Sequence, residues 1–271
     1  MKKVALITGV TRNIGRAICG IFAQNGYQII GTYKNGLDDP NEMAKFKAEF
    51  PQSKLYKVDF CNQDDVTRFI NDIKQSKIKI DVLVNNAGMF NLYNGTTRNE
   101  FINFDLQAFQ DVINCNFLTT TRLSIELKES MAEGGNIIII ASGACLQGAY
   151  ASISYNASKA ALINLMESLA DNYYRYKKVR VNAVSPGWID SEGESMGADK
   201  ESSFMGRVAA VTPMERNGLP EEVAKMVYFL TTDGASFTTG ANIPVDGGYK
   251  NHNINYLEEA GYAEFTIKLL K

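Results

Sequence analysis

What most constrains the fold of this chain is a rhythm. Short apolar, β-branched runs alternate with segments of helical period from the first residues to about position 246. The runs fall at residues 4–8, 28–32, 55–58, 82–85, 136–141, 179–183 and 242–245, and each predicts a strand. Val82-Leu83-Val84 and Ile137-Ile138-Ile139-Ile140 are continuous rather than alternating in polarity, which predicts strands buried on both faces. Strands of that kind belong to a parallel sheet with helices on each side. Right-handed crossovers then give an α/β, doubly wound, mostly parallel seven-stranded sheet whose ligand crevice lies at the carboxyl ends of the strands. No Pro/Ser-rich linker or internal repeat interrupts the pattern, so residues 1–250 read as one domain. In the tail, 251–271, Tyr256, Ala260, Ala263, Ile267 and Leu270 share one helical face and predict a packing helix. Residues 90–104 and 190–211 break the rhythm and read as loops or short helices after strand ends, where function usually sits.

Composition removes several classes. Hydrophobic residues make up 45% and charged residues 21% of the 271, too apolar for disorder. Lys+Arg number 28 against 30 Asp+Glu, so there is no cation excess to neutralise phosphates, and no nucleic acid is expected as a partner. No membrane is expected either, because no run of about 18 apolar residues occurs. The apolar run after Met1-Lys2-Lys3 ends within four residues at Thr8-Gly9, too short for a signal peptide. Cys19, Cys61, Cys115 and Cys145 are scattered without a C-x-x-C pair and read as reduced thiols, so a cytoplasmic location is expected. The one histidine, His252, lies in an Asn-rich stretch away from any nucleophile motif, which excludes a Ser-His-Asp triad and most zinc sites; no metal is expected.

Thr8-Gly9-Val10-Thr11-Arg12-Asn13-Ile14-Gly15 follows the first run directly and opens a helix at Arg16. Glycines there let the backbone approach a pyrophosphate at a helix N-terminus, where free N–H groups and the dipole favour negative charge. The segment resembles the T-G-x-x-x-G-x-G turn of the short-chain dehydrogenase/reductase family, a Rossmann fold, with Asn13 replacing the middle glycine. Asn tolerates left-handed backbone better than other side chains, so the turn survives. About 20 residues further on, an acidic residue would bind the ribose of NAD. Residues 28–37 contain no Asp or Glu; instead Tyr33 and Lys34 stand there, and Arg12 sits in the turn. Two cations with no carboxylate to repel a phosphate favour NADP(H).

Tyr155-Asn156-Ala157-Ser158-Lys159 puts Tyr155 and Lys159 on one helical face. The pattern is common here, since Tyr173 and Tyr174 also precede Lys177 and Lys178 by four. Only Tyr155 has a serine thirteen positions earlier, Ser142; the other two have Ala160 and Ala161. Ser142 closes the 136–141 run at the ligand end of the sheet. Reduction of a carbonyl by hydride needs a proton for the developing alkoxide, and a tyrosine beside an ammonium can give one. Ser142 can hydrogen-bond the substrate oxygen.

The resemblance covers residues 1–248 and implies the remaining roles. Asn116, in Asn114-Cys115-Asn116-Phe117, matches the family's helix Asn, which supports a water near Lys159. Gly9, Thr11, Arg12, Asn13, Ile14, Gly15, Tyr33 and Lys34 match the nucleotide end of the cofactor site. Asp59 and Phe60, then Asn86, Ala87 and Gly88 of Asn85-Asn86-Ala87-Gly88, fall beside the adenosine. Asp59 equally suits an N-cap for the helix after Asn62. Tyr155, Lys159, Pro186, Gly187, Ile189 and Ser191 fall at the nicotinamide end.

The closest general pattern is that of 3-oxoacyl-[acyl-carrier-protein] reductases, implying reduction of a ketone to a secondary alcohol, or the reverse, on a 3-oxoacyl thioester-like or other medium-sized substrate. The alternatives are an NADP(H)-binding regulator or scaffold with little turnover and an NAD-dependent alcohol or polyol dehydrogenase. Enoyl reductases space Tyr and Lys seven apart, where this chain has Ser152, which disfavours carbon–carbon double-bond reduction. Arginines that would meet an acidic carrier protein are missing from residues 129–134 and 170–173, which counts against carrier-protein docking. The family implies a homo-oligomer, a tetramer or dimer packed through the helices after strands four and five. Met89, Phe90, Cys145, Gln147, Tyr150, Trp188, Met196, Phe204 and Met205 are the candidate apolar substrate pocket.

Overall fold

The computed structural model of the chain describes residues 2–90, 92–93, 96–97, 100, 104–145, 153–190 and 204–251. Its strands, in chain order, are β1 (Val4–Thr8), β2 (Gln28–Tyr33), β3 (Lys54–Lys57), β4 (Ile80–Asn85), β5 (Leu92–Tyr93), β6 (Thr96–Thr97), β7 (Met131–Ile140), β8 (Arg180–Pro186) and β9 (Asn242–Val245). Seven of them form one sheet in the order β3-β2-β1-β4-β7-β8-β9, and every pairing is parallel. The doubly wound sheet is therefore fully rather than mostly parallel.

The helices are α1 (Asn13–Gln24), α2 (Pro40–Glu49), α3 (Gln63–Ser76), α4 (Leu106–Ile113), α5 (Thr119–Glu126), α6 (Ile153–Lys177), α7 (Phe204–Val211) and α8 (Pro220–Leu230). They account for the unbroken apolar runs, because alternate residues of one strand enter different cores. Leu6, Leu83, Ile137 and Ile139 pack in the core under α3, α5 and α6. Their strand neighbours Ala5, Ile7, Val82, Val84, Ile138 and Ile140 pack in the opposite core under α1, α2 and α8. Both faces are dry, so truncating a central isoleucine such as Ile138, 0% exposed, costs about 2–5 kcal/mol. α3 shows how the helices are specified. Asn62 caps its start, accepting from Asp64 N–H and Asp65 N–H; Val66, Phe69, Ile70 and Ile73 bury one stripe; and Lys77 ends it in the left-handed region at φ 56°.

The differences from the sequence expectation lie mostly at element ends. β7 starts at Met131, and β8 runs on to Pro186, because sheet pairing extends the strands past their most apolar residues. Within 90–104, expected as loop or short helix, β5 and β6 pair antiparallel. Within 190–211, α7 supplies the helix. The packing helix expected in the tail lies outside the described residues. Among the described residues no helix is long and apolar enough to cross a membrane, and no cluster of His, Cys, Asp or Glu is arranged to hold a metal.

The strand order reverses between β1 and β4: β2 and β3 lie to one side of β1, and β4 onward lie to the other. At such a switch point the loops leaving neighbouring strands diverge and open a crevice at the carboxyl ends. Every candidate residue described next leaves one of those ends or lies on a helix beside it.

Candidate active site

The glycine turn leaves β1 at the switch point. Gly9 N–H and Val10 N–H both donate to the Thr32 carbonyl at 3.0 Å, which ties the turn to the end of β2. A Cβ on Gly15 would stand 1.9 Å from Gly9 O, so only glycine fits where α1 passes over the turn. Asn13, at the family's middle glycine, adopts φ 51°, the left-handed conformation that Asn tolerates. Arg12 takes the N-cap position of α1 without a side-chain cap, leaving the first N–H groups of the helix to another acceptor. Across the switch point, Thr8 Oγ1 accepts from Asn86 N–H and Ala87 N–H at 2.9 Å, while Asn86 Nδ2 donates to Thr8 O at 2.8 Å and Gly9 O at 3.1 Å. The Asn86 side chain thus braces the turn itself.

At the end of β2 the structure corrects the sequence reading. Lys34 does not face a region free of carboxylates: its Nζ lies 2.9 Å from the Asp59 carboxylate, and Glu42 lines the same crevice. The contact is set by strand register rather than by sequence spacing. Tyr33 pairs with Lys57 across β2 and β3, so residues just beyond both strand ends meet. The Asp59 hydrogen bond raises the Lys34 pKa. Partial burial opposes ionisation of Asp59, but hydrogen bonds from Lys34 and from Cys61 N–H outweigh it and hold the carboxyl below its ordinary pKa. Asp59 is not the N-cap of α3, a position that Asn62 fills. Behind this pair Cys61 Sγ donates to Met89 Sδ at 3.4 Å; the neighbouring Cys115 lowers the Cys61 pKa, and Cys61 together with burial pushes Cys115 far above the usual range. Sequence spacing had kept these two cysteines apart.

The other end of the crevice is built on α6. Lys159 is 4% exposed, its Nζ donates to Ile140 O at 2.9 Å, and it sits 5.7 Å from the centre of the Tyr155 ring. Ser142, two residues beyond β7, lines the same cavity as Tyr155 and Lys159. The competing pairs lie at the far end of α6: Tyr173 is buried with its hydroxyl on Ser124 O, and Lys178 lies over the ring of Tyr174. The α4–α5 helix passes through a π-helical turn over Asn114–Leu118, which carries Asn116. Asn116 Oδ1 accepts from Met89 N–H at 2.7 Å, and its Nδ2 donates to Met89 O at 2.9 Å and Ser158 Oγ at 3.0 Å. Ser158, which the sequence reading did not single out, in turn donates to Tyr155 O at 2.7 Å. Its place between Tyr155 and Lys159 was the available signal.

Two adjoining cavities, about 950 and about 300 Å³, share Asn13, Ile14, Asn86, Gly88, Met89 and Tyr155 and so form one crevice along the strand ends. The larger reaches Gly9, Thr11, Arg12, Gly15, Tyr33, Lys34, Asp59, Phe60 and Ala87; the smaller reaches Pro186, Gly187 and Ile189. Of the candidate substrate pocket, Met89 and Phe90 line the smaller cavity, and the Phe90 ring lies 4.8 Å from that of Tyr155. Cys145 lies instead 3.4 Å from Ser185 Oγ, between β8 and β9, and Trp188 is 40% exposed. The Met205 carbonyl accepts from Asn217 Nδ2. Ser191, Gln147, Tyr150 and Met196, with the side chain of Phe204, lie outside the described residues.

A doubly wound parallel sheet with this crevice defines a Rossmann-type α/β protein. A family model described as enoyl-(acyl carrier protein) reductase matches residues 9–250. The chain is 35% identical over 256 residues to 2-dehydro-3-deoxy-D-gluconate 5-dehydrogenase of Pseudoalteromonas atlantica, covering 91% of this chain and 95% of that one. It is 32% identical over 249 residues to a 3-oxoacyl-[acyl-carrier-protein] reductase of Pseudomonas aeruginosa, covering 91% and 96%. Among solved structures, ElxO with NADP bound superposes with a TM-score of 0.79 at 29% identity, covering 93% of this chain and 100% of that one. 4-Hydroxyisoleucine dehydrogenase complexed with NADH gives 0.80 at 25% identity and the same coverage. The chain belongs to the short-chain dehydrogenase/reductase family, as an enzyme of the dehydrogenase/reductase class with a 3-oxoacyl reductase-like pattern.

Proposed function

We propose that the protein is an NADP(H)-dependent oxidoreductase that reduces a ketone to a secondary alcohol, or runs the reverse, with Tyr155 as the acid/base. The observation that carries this reading is the meeting of Ser142, Tyr155 and buried Lys159 in one cavity at the strand ends. The crevice suits a dinucleotide. The Gly9–Gly15 contact leaves no room for a Cβ, the first turn of α1 has no side-chain cap, and charged side chains flank the far end. Gly9, Asn13, Ile14 and Gly15 would hold its pyrophosphate, Arg12 and Lys34 the 2′-phosphate, Asp59 and Ala87 the adenosine, and Pro186, Gly187 and Ile189 the nicotinamide side. Ser191 joins the nicotinamide end on the family pattern. The bound cofactor supplies or accepts the hydride.

Chain groups do the rest. Ser142 Oγ donates a hydrogen bond to the substrate oxygen and holds it beside the Tyr155 hydroxyl, which gives up its proton as negative charge develops. The Lys159 ammonium, buried and donating to the neutral Ile140 carbonyl, stabilises the phenolate that remains. Asn116 fixes Met89 and Ser158 around the pair and supports a water toward Lys159. The Tyr–Lys spacing of four favours carbonyl over enoyl reduction despite the description of the family model.

A panel of acyl thioesters, steroids, sugars and quinones with NADPH and NADH tests the reading. Turnover of at least one ketone, abolished by Tyr155→Phe, is expected; undiminished turnover in that variant overturns it. The Lys34–Asp59 pair gives a second reading, an NAD(H) enzyme, because the carboxylate competes with a 2′-phosphate for the lysine. Kd values decide: NADPH should bind at least about tenfold tighter than NADH, a difference of about 1.4 kcal/mol. Exposed Leu118 and Ile125 on the π-turn and α5 support a homo-oligomer, which sedimentation would resolve as a tetramer or dimer.

A further inference from the structure

α6 carries the acid/base pair but begins at Ile153, two residues before Tyr155. N–H groups in the first turn of a helix have no intrahelical partner, and helix ends open easily. A tyrosine placed there is positioned no better than the turn that bears it. In this chain the turn is held from outside. Glu100, 3% exposed, accepts from Ser154 N–H at 2.6 Å and from Ser154 Oγ at 2.5 Å. Ser154 is 0% exposed, so both bonds are shielded from water. A buried carboxyl group needs hydrogen-bond partners. Here Ser154 N–H and Ser154 Oγ both donate to it in the first turn of α6. On the other side of Tyr155, Ser158 is bound by Asn116 Nδ2 at 3.0 Å and donates to Tyr155 O. The tyrosine therefore stands between two anchored serines, one fixed from the α4–α5 helix and one from Glu100. Glu100 belongs to the 90–104 stretch, which breaks the rhythm of strands and helices.

We propose that Glu100 is a positioning residue whose carboxylate clamps Ser154 and thereby fixes the Tyr155 hydroxyl in the crevice. The proposal rests on Tyr155 being the acid/base. The role is one of geometry, so it predicts a split between rate and cofactor binding. Misplacement of a reacting group by about 1 Å costs roughly 100-fold in rate.

The test compares Glu100→Ala, Glu100→Gln, Ser154→Ala and the double alanine variant, with acetoacetyl-CoA or whichever panel ketone turns over. Glu100→Ala should lower kcat by about 10- to 100-fold and leave the NADPH Kd unchanged. Glu100→Gln should recover most of that rate, because its amide can accept from Ser154 N–H and donate to Ser154 Oγ. The double variant should be no slower than Glu100→Ala alone, since both substitutions break one linkage. Deuterium exchange of the amides at 153–158 needs no substrate: Glu100→Ala should speed it, and Glu100→Gln should not. Wild-type rate and exchange in Glu100→Ala, rate losses that multiply in the double variant, or equal losses in the Ala and Gln variants would each overturn the clamp. Tyr155→Phe separates the two levels. If it turns over, the acid/base reading falls and the clamp with it; if it is inactive while Glu100→Ala behaves as wild type, only the clamp falls.

Discussion

Each end of the crevice holds a lysine, and the two are wired in opposite ways. Lys159 is 4% exposed and donates to the neutral Ile140 carbonyl. The Lys34 side chain is 55% exposed and pairs with the Asp59 carboxylate at 2.9 Å. A cation against a dipole in a dry site keeps its field, while one against a carboxylate in water has most of it cancelled. One residue type thus gives a strong local field beside Tyr155 and an exchangeable contact beyond the ends of β2 and β3. Removing the first should stop chemistry; removing the second should only retune binding.

The sharpest way to break that contrast is Lys159→Met, which keeps an apolar stem, removes the charge and leaves Ile140 O without its ammonium donor. Steady-state kcat on the best ketone should fall by about 10²- to 10⁴-fold, the range for a positioned proton-transfer group. A loss as small as that from Lys34→Ala would erase the distinction. Next in size is Gly15→Ala, between the two ends. Its Cβ would meet Gly9 O at 1.9 Å and Asn86 Nδ2 at 2.7 Å, so the turn must open. Overpacking of this kind costs about 1–3 kcal/mol, read as a lower Tm, and NADPH Kd should rise by about tenfold or more.

These effects trace how much the sequence could reveal. The strands were legible because both cores draw on the same runs: Ile137 and Ile139 face one, Ile138 and Ile140 the other. Asn13 was legible too, because a left-handed turn position accepts few other side chains. The Ser142, Tyr155 and Lys159 spacing marked one helix face and one strand end, which local periodicity can specify. Contacts set by parallel register were not legible. Lys34 and Asp59 meet only because β2 and β3 pair as they do, and Glu100 reaches Ser154 across 54 positions of sequence with no periodic signal. The antiparallel β5–β6 pairing, two residues a side, is too short to leave a pattern.

Smaller effects belong to the open end. Arg12→Ala and Lys34→Ala should each weaken NADPH by about tenfold or less, the scale of a solvent-exposed charge pair, and leave NADH nearly unchanged. Equal losses for both cofactors would place these cations in general binding and remove any role in reading the 2′-phosphate. Fluorescence titration of each variant with both cofactors checks this.

The smallest effect, and the one that tests the wiring itself, is Asp59→Asn. It releases Lys34 without moving it far, so NADPH should bind a few-fold tighter while the stability change stays within about 1 kcal/mol, as for exposed ion pairs. The pH dependence has a fixed sign. The Asp59 carboxyl is held below its ordinary pKa in the fold, so the pair contributes its small stabilisation above the ordinary value of about 3.9 and loses it as pH falls through the lower folded value. Acid unfolding of the wild type should therefore carry a shallow slope that Asp59→Asn lacks. Parallel stability curves through the acid range, or an NADPH Kd that Asp59→Asn leaves unchanged at neutral pH, would show that Lys34 is not held in check by its carboxylate.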